Sequence, residues 1–265
     1  LRADLMSSRT LLIDGDILVY RITAAAETPI DWGNDIWTLH SDLAECKEAL
    51  DSQITMYMEE LKADDIILAF SPPKNFRYRI YPQYKNNRQG KRKPITYVPL
   101  KAYAHEKYKT FERPDLEGDD ILGILATSPV IVKGDKIIVS LDKDLKTIPG
   151  KICDMRDPIT IQEITEQEAD CNHMLQTLTG DTSDGYPGCP GIGPVSAAKL
   201  LDGTEKTYAA MWPIVVKAYE KKGLSEETAL IQAQIARICR RDDYDFKKKE
   251  VIPWTPPTTT TKTAS

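Results

Sequence analysis

Two short apolar runs in this chain each lead into closely spaced aspartates, and this pattern constrains the fold more than any other feature. Residues 10–13 lead into Asp14, and residues 137–141 lead into Asp142, with Asp144 two positions further on. Brief runs rich in Leu, Ile and Val, bounded by charged residues, are typical of buried parallel strands. Because ligands of open α/β sheets sit beyond the carboxyl ends of such strands, we expect these three aspartates to meet at one edge of a sheet.

The spacing of apolar residues elsewhere predicts strands that alternate with helices. Residues 66–70 form a third short apolar run, and residues 151–153 form a fourth and weaker one. Apolar side chains recur every three or four positions over residues 43–61, which indicates an amphipathic helix, and a second apolar helix follows Asp119. The alternation predicts an α/β fold with right-handed crossovers, in which helices flank a central, mostly parallel, twisted sheet.

Two further acidic groups stand at the start of a predicted helix and in a glycine-flanked turn: Glu117, Asp119 and Asp120, and then Asp181 and Asp184. A lone aspartate after a strand is usually a helix cap or a turn residue, and that structural reading stays open for Asp16 and Asp120. Four acidic groups, each at a strand end, a helix start or a turn, are harder to explain as coincidence. The pattern therefore predicts a cluster of carboxylates.

A cluster of this kind predicts bound cations, because carboxylates that share one site repel one another strongly. The three histidines lie far apart in sequence, and the five cysteines include no Cys-x-x-Cys pair, which disfavours zinc and disulfide frameworks. Oxygen ligands instead favour Mg²⁺ or Mn²⁺. Two such ions about 4 Å apart can catalyse phosphoryl transfer without a nucleophilic side chain.

Basic and aromatic residues are concentrated in the segment 74–113, although the whole chain has a net charge of −5. This segment carries 12 Lys or Arg against 2 Asp or Glu, so its charge is +10 and the remainder sums to −15. It also holds six of the 12 tyrosines and two of the four phenylalanines. Cationic side chains that contact phosphates and aromatic rings that stack on bases predict a segment that binds single-stranded nucleic acid. The alternative is a solvated loop whose tyrosines pack on the core.

Six short motifs follow one another along the chain: Ile-Asp14-Gly-Asp, Arg79-x4-Tyr84-Lys85-x2-Arg88, Glu117-Gly-Asp119-Asp120, Asp142-Lys-Asp144, Gly180-Asp181-x2-Asp184 and Gly191-Ile-Gly193-Pro. In order and spacing they resemble the four acidic blocks, the basic gateway helix and the helix–hairpin–helix motif of the 5′-nuclease (flap endonuclease) superfamily. The resemblance spans residues 11–201 and is nearest to the short phage 5′→3′ exonucleases. It implies a fold of the PIN or 5′-nuclease kind.

The resemblance also implies a role for each acid. The first metal ion would be held by Asp14, Glu117 and Asp119, with Asp120 nearby. The second would be surrounded by Asp142, Asp144, Asp181 and Asp184. Asp14, Asp119 and Asp142 are accordingly predicted to be catalytic, and the implied cofactors are two Mg²⁺ or Mn²⁺ ions.

The DNA-binding residues follow in the same way. Lys85 and Arg88, predicted to share a helical face, would point at the scissile phosphate and stabilise its developing charge. Tyr84 would stack on the terminal base, and Arg79 would bind the backbone. The helix–hairpin–helix would hold duplex phosphates, together with a K⁺ ion, through Gly191, Gly193, Ser196 and Lys199. Glycines let backbone amides approach a phosphate closely, and the following helix presents its N-terminus to the anion.

One position departs from the family pattern. Many members carry an aspartate directly after the second strand, whereas here Phe70 is followed by Ser71 and two prolines. The corresponding ligand is therefore absent, or a water or a neighbouring acid replaces it. This departure keeps a second hypothesis open, a non-catalytic protein that binds DNA structures. A third hypothesis is an RNA-directed nuclease on a related PIN-like fold.

These observations predict three regions: an α/β nuclease domain over 9–163 containing the gateway segment 74–113, a helical DNA-binding region over 164–254, and a disordered tail over 255–265. A helix is predicted over 226–240. The expected activity is metal-dependent 5′→3′ exonuclease or flap endonuclease cleavage of duplex DNA at 5′ ends, nicks or flaps, and of RNA primers in RNA–DNA hybrids. We expect a monomer without a membrane span, in the cytoplasm of a host cell, that acts in phage DNA replication and host DNA degradation.

Overall fold

A computed structural model describes residues 8–88 and 90–257 of the chain. Its elements in chain order are β1 (Arg9–Asp14), α1 (Gly15–Ala25), β2 (Thr28–Asp31), β3 (Trp37–His40), α2 (Leu43–Glu60), β4 (Asp65–Phe70), α3 (Arg77–Ile80), a 3₁₀ turn (Asn86–Arg88), α4 (Tyr97–Lys107), β5 (Thr110–Glu112), α5 (Gly118–Thr127), β6 (Asp135–Ser140), a 3₁₀ helix (Lys143–Thr147), β7 (Gly150–Asp154), β8 (Asp157–Ile164), α6 (Glu166–Thr179), α7 (Pro194–Leu201), α8 (Tyr208–Glu220), α9 (Glu226–Ala236), a 3₁₀ turn (Arg241–Asp243), β9 (Tyr244–Asp245) and β10 (Glu250–Val251).

The central sheet has the strand order β5-β4-β1-β6-β7-β8. Every neighbouring pair is parallel except β7 and β8, which are antiparallel. Strand β1 is buried on both faces: Leu11 and Ile13 pack with α1 and α2, while Leu12 packs with α5 on the other side. This double coverage explains why the strand is apolar at consecutive positions. The predicted mostly parallel α/β fold is confirmed.

The position of β1 creates the place for a site. From β1 the chain pairs first with β4 on one side and later with β6 on the other. Where the strand order reverses in this way, the connections diverge and leave a crevice beyond the carboxyl ends of the strands. Asp14, the last residue of β1, lies at that crevice.

The helices α6 to α9 pack around a separate apolar core that includes Met174, Leu178 and Tyr219. The strands give way to helices between Ile164 and Glu166, close to the predicted boundary. The chain then returns, because Ile238 and Tyr244 pack into the core between α5 and the sheet.

This return overturns part of the sequence prediction. The predicted helix over 226–240 ends at Ala236, and residues 244–251 contain the short antiparallel pair β9–β10 instead of a helix. The physical reason is a tertiary contact: the Cys239 amide leaves the helix to donate to Asp120 at 3.0 Å. Gly123 permits it, since a Cβ there would lie 2.3 Å from the Cys239 carbonyl oxygen.

Several strands gave no clear sequence signal. The β2–β3 hairpin exposes both of its strands, and β8 at the sheet edge alternates too weakly to identify, with six of its eight residues exposed. Of the predicted disordered tail, residues 258–265 lie outside the described residues. Among the helices that the structure describes, none combines the length and the apolar character needed to cross a membrane.

Candidate active site

Asp14 ends β1 and caps α1, and both of its carboxylate oxygens are held in place. Oδ1 accepts a hydrogen bond from the Ile17 amide at 3.0 Å, and Oδ2 accepts one from the Ser140 hydroxyl on β6 at 2.8 Å. The residue is only 4% exposed. Burial, supplemented by the negative charges of Asp16 and Asp142, raises the pKa of Asp14 to about 7.

Asp142 and Asp144 follow β6, as predicted. Asp142 Oδ1 accepts from the Asp144 amide at 2.8 Å, and this bond starts the 3₁₀ helix that projects both acids to the same side. Burial raises the pKa of Asp142. Burial and the charge of Asp142 raise the pKa of Asp144 to about 7.

Asp119 lies in the first turn of α5 and joins this group. Burial, followed by the charges of Asp14 and Asp142, holds its pKa well above the usual value. One cavity brings five acids together: Glu117, Asp119, Asp142, Asp144 and Asp184 line it. Acids from separate stretches of sequence therefore meet at the carboxyl edge of the sheet, as the strand-end pattern predicts.

The loop 180–188 supplies the fourth acidic group. Asp181 and Tyr186 pair through two backbone hydrogen bonds, which fold the loop back on itself. Asp181 lies close enough to Asp144 to help raise the pKa of that carboxyl group. Asp184 accepts from the Tyr84 hydroxyl at 2.9 Å. The loop thus carries Asp184 to the same cavity and places Asp181 beside Asp144.

Two glycines make this loop possible. Gly180 and Gly188 have φ values of +65°, and a Cβ on either would lie 2.3–2.4 Å from a backbone nitrogen of the other. We expect Gly188→Ala to destabilise the fold by about 2 kcal/mol or more, because it adds both overpacking and an unfavourable φ. Thermal unfolding followed by circular dichroism should show a midpoint lower by roughly 4–8 °C.

Gly203→Ala is the matched control for that substitution. Gly203 has a φ of +69°, but nothing lies within 4 Å of its would-be Cβ. If the unfolding midpoint falls less in Gly203→Ala than in Gly188→Ala, the difference measures the cost of the close backbone contact at Gly188. Equal losses at positions 188 and 203 would show that the backbone approach of Gly180 contributes nothing.

The donor chemistry of the cluster fits hard divalent cations. Carboxylate oxygens are the ligands that Mg²⁺ and Mn²⁺ prefer, and the raised pKa values of Asp14 and Asp144 show a cost that a cation would offset. Within residues 8–88 and 90–257, no three His, Cys, Asp or Glu side chains are already arranged to hold one metal ion. Cation binding therefore requires side-chain adjustment.

The raised pKa values predict how stability depends on pH. Asp14 and Asp144, with pKa values of about 7 when folded and an unfolded value of about 4, bind protons more tightly in the folded state. Their contribution to stability is then lost as pH rises through this window. In EDTA we expect the midpoint of thermal unfolding to fall from pH 5 to pH 8, and Mg²⁺ to suppress that fall. Burial lowers the pKa of His173, which opposes this trend because its contribution to stability grows as pH rises toward 6.5. The decisive quantity is therefore the rise in midpoint that Mg²⁺ causes, and a rise that does not grow from pH 5 to pH 8 would contradict the raised pKa values of Asp14 and Asp144.

The gateway prediction is only partly right. Residues 79–88 do not form one helix: α3 ends at Ile80, a turn follows, and a 3₁₀ turn begins at Asn86. Lys85 has a φ of +54°, and its amide donates to the Asp184 carbonyl at 2.8 Å. Lys85 and Arg88 consequently do not share a helical face, because contacts with the loop 180–188 override the helical spacing.

The individual gateway side chains still approach the acids. The Lys85 ammonium donates to Glu117 Oε1 at 2.5 Å, and Arg88 Nη2 lies 2.5 Å from Asp184 Oδ1. Arg79 is exposed and pairs with Asp115. Tyr84, in contrast, is 2% exposed, and its hydroxyl reaches Glu117 and Asp184. The predicted stacking of Tyr84 on a base does not fit this burial.

Asp120 also departs from its predicted role as a metal ligand. It is completely buried, and Arg77 binds both of its oxygens at 2.7 Å. The amides of Glu117 and Cys239 add two more hydrogen bonds. With both oxygens saturated, Asp120 has no lone pair directed at the cavity. Arg77 was not singled out from the sequence, and nothing distinguishes it there from the other basic residues of the segment.

Ser71 occupies the position where the family pattern has an aspartate. Its hydroxyl accepts from the Gly118 amide at 2.9 Å, and its own amide donates to Asp16 at 2.7 Å. Asp16 is the neighbouring acid at this position, but its second oxygen accepts from the Tyr97 hydroxyl at 2.9 Å. Asp16 thus ties α1 to β4 and α4, and it has the structural role left open from the sequence.

The predicted helix–hairpin–helix residues are exposed on one side of the helical region: Gly191, Gly193, Ser196 and Lys199. Gly193 is the N-cap of α7 and has no side chain with which to cap that helix. The Lys222 ammonium lies 3.5 Å from the position that a Cβ of Gly191 would take. The sequence reasoning missed Lys222, which lies far along the chain and brings a second cation to this loop.

Sequence comparisons show which family of proteins this chain is similar to. The model of the 5′–3′ exonuclease N-terminal resolvase-like domain matches residues 9–174. The exodeoxyribonuclease of Enterobacteria phage T3 is 34% identical, with 93% of this chain and 92% of that protein covered. The exonuclease of Escherichia phage T7 is 33% identical, with 93% of each chain covered.

Solved structures show a similar fold. The phage T5 5′-exonuclease with divalent zinc bound has a TM-score of 0.67 at 15% identity, covering 86% of this chain and 89% of that one. A phage T5 flap endonuclease in a complex with DNA and metal ions has a TM-score of 0.66 at 14% identity, covering 86% and 88%. With a family model over more than half of the chain and relatives above 30% identity over nearly all of it, this protein belongs to the 5′–3′ exonuclease family.

Proposed function

We propose that the protein hydrolyses DNA phosphodiesters from 5′ ends with the aid of divalent cations held at the carboxylate cluster. The observation that carries this proposal is the meeting of acids from four stretches at one sheet edge: Asp14, Asp119, Asp142 with Asp144, and Asp181 with Asp184. Family membership supplies the reaction class, a 5′–3′ exonuclease. The T5 relatives that bind zinc, or DNA together with metal ions, support the cation and the substrate.

The acids divide between two cation positions. The first would be held by Asp14, Glu117 and Asp119, and the second by Asp142, Asp144, Asp181 and Asp184. Bound Mg²⁺ or Mn²⁺ supplies Lewis-acid chemistry for phosphoryl transfer. We leave Asp120 out of both sets, because Arg77 saturates its carboxylate.

The chain's own cations would bind and orient the substrate. The Lys85 ammonium lies beside Glu117 and Asp184, where its charge would stabilise the scissile phosphate as negative charge develops. Arg88 and the exposed Arg79 would hold the neighbouring backbone phosphates.

The exposed loop before α7 would position the duplex away from the reacting bond. Its contacts run through Gly191, Gly193, Ser196 and Lys199 and carry no base-sequence information. Lys222 adds a charge beside Gly191. A K⁺ ion at this loop belongs to the same proposal. Binding through phosphates predicts affinity that falls steeply with salt.

Product analysis on 5′-labelled nicked, blunt and flapped duplexes tests the proposal. We expect short 5′ products in Mg²⁺ and none in EDTA, from a monomeric enzyme. Matched RNA–DNA hybrids show whether RNA primers are cut as well. Cleavage confined to RNA would favour the alternative of an RNA-directed nuclease.

Ser71 is the observation that favours a second candidate, a protein that binds DNA structures without cutting them. The first cation position has one acid fewer than in many family members. Binding to nicked duplex with no product in Mg²⁺ or Mn²⁺ would support this candidate and refute hydrolysis.

A further inference from the structure

Arg77 lies at the start of α3 with its guanidinium in the protein interior, where the side chain is 3% exposed. Its five N–H groups find five acceptors. Nη1 and Nη2 bind the two oxygens of Asp120 at 2.7 Å, and Nη1 also donates to Glu117 Oε2 at 3.0 Å. Nε and Nη2 donate to the carbonyls of Ile235 and Arg237 at 2.9 and 2.6 Å.

Asp120 completes this arrangement from the other side. Each of its oxygens accepts a second hydrogen bond, one from the Cys239 amide and one from the Glu117 amide, both at 3.0 Å. Buried charges are costly unless every donor and acceptor is matched, and here the structure matches them. The geometry of Arg77, Asp120 and the backbone around them is therefore tightly fixed.

Glu117 is the member of this arrangement that faces the cavity. Its carboxylate touches Arg77, the Tyr84 hydroxyl at 2.8 Å and the Lys85 ammonium at 2.5 Å. Lys85 reaches Glu117 through one ammonium contact on a flexible type of side chain, whereas Arg77 is fixed by its other four hydrogen bonds. Arg77 is thus the contact that sets where Glu117 points. Asp120 neutralises Arg77, and the Lys85 ammonium balances the charge of Glu117, so a cation would bind this carboxylate by displacing Lys85.

We infer that Arg77 and Asp120 are positioning residues that hold Glu117 in the orientation needed to bind a divalent cation, and that they fix residues 235–239 of the helical region against the same acid. This inference rests on the proposed function, since it concerns one of the proposed ligands. It adds two residues that would act through Glu117 without touching substrate or metal. Partners of this kind commonly change metal affinity by ten- to a hundredfold.

Arg77→Lys tests the inference, since lysine keeps the charge but has three donors and no planar fork to serve five acceptors. We expect the Kd for Mn²⁺, measured by electron paramagnetic resonance without DNA, to rise about tenfold or more. The kcat should fall and recover in part at high Mn²⁺. The affinity for nicked duplex in Ca²⁺ should stay within about twofold, because the phosphate contacts lie elsewhere.

The matched control is Arg241→Lys, which makes the same exchange at an exposed arginine paired with Asp242 at 2.8 Å. A lower unfolding midpoint with unchanged Mn²⁺ affinity and kcat in Arg77→Lys would show a merely structural role and overturn the inference. If Arg77→Lys does not fold, Asp120→Asn is compared with the wild type by the same measurements. Asparagine does not neutralise the Arg77 charge, so Arg77 should attract Glu117 more strongly and Mn²⁺ should bind more weakly. Failure of the wild type to bind Mn²⁺ or to cut DNA refutes the proposed function instead.

Discussion

Replacing Asp142 by alanine is expected to lower the rate of DNA hydrolysis by about a thousandfold or more, while DNA binding stays measurable. Asp142 lies between the two groups of acids, since its charge raises the pKa of both Asp119 and Asp144. Removing it takes away a proposed cation ligand and none of the proposed phosphate contacts. Single-turnover cleavage of a nicked duplex in Mg²⁺, with binding measured in Ca²⁺, separates the two effects.

Asp154→Ala is the matched control for this substitution. Asp154 also lies at the carboxyl end of a parallel strand, but it pairs with Arg156 at 2.6 Å, and hydrogen bonds from Arg156 lower its pKa to about 2. We expect its rate to equal that of the wild type. If Asp142→Ala cuts normally, the carboxylate mechanism is wrong. If Asp154→Ala is equally inactive, the loss of activity in Asp142→Ala does not report on the cluster of acids.

Replacing Lys85 by alanine should slow turnover by about a hundredfold and weaken DNA binding by no more than about threefold. The Lys85 ammonium lies 2.5 Å from Glu117 and 3.6 Å from Asp184, so its charge is at the cluster itself. A group that stabilises charge developing in the transition state affects kcat more than ground-state affinity. The kcat and the Kd for nicked duplex are the two measurements required.

Lys151→Ala provides the comparison. Lys151 is the second residue of β7, and its ammonium pairs with Asp135 at 2.8 Å, at the amino end of the parallel strands and away from the acids. It should cut at the wild-type rate. An unchanged kcat in Lys85→Ala would remove Lys85 from the site. Parallel losses of kcat and affinity would make it a binding residue only.

Local pattern was enough to predict the scaffold and most of the acids. Strand β1 reads as a short apolar run ending in Asp14 because burial on both faces favours apolar side chains at the consecutive positions Leu11, Leu12 and Ile13. The acids after β6 follow the same logic. Parallel strands place their carboxyl ends together, so acids that follow such strands in the sequence are expected to lie close together in the fold.

The gateway segment and Asp120 could not be predicted in this way. Tyr84 and Lys85 take their positions from Glu117 and Asp184, which lie 33 and 100 residues from Tyr84. The spacing that suggested a helix over 79–88 is a weak preference, and buried polar contacts override it. Asp120 carries the same side chain as Asp119, yet Arg77, 43 residues away, saturates it.

The amino-acid sequence by itself determined the α/β scaffold, the family and the meeting of the acids at one edge, because these depend on periodicity and on strand direction. Only the tertiary structure decided which of those acids face the cavity and where the Lys85 side chain points. It also decided that residues 237–251 pack against the core between α5 and the sheet. Those outcomes depend on pairing charges and hydrogen-bond donors that are distant in sequence. A buried polar group must find a partner, and its identity is fixed only once the chain has folded.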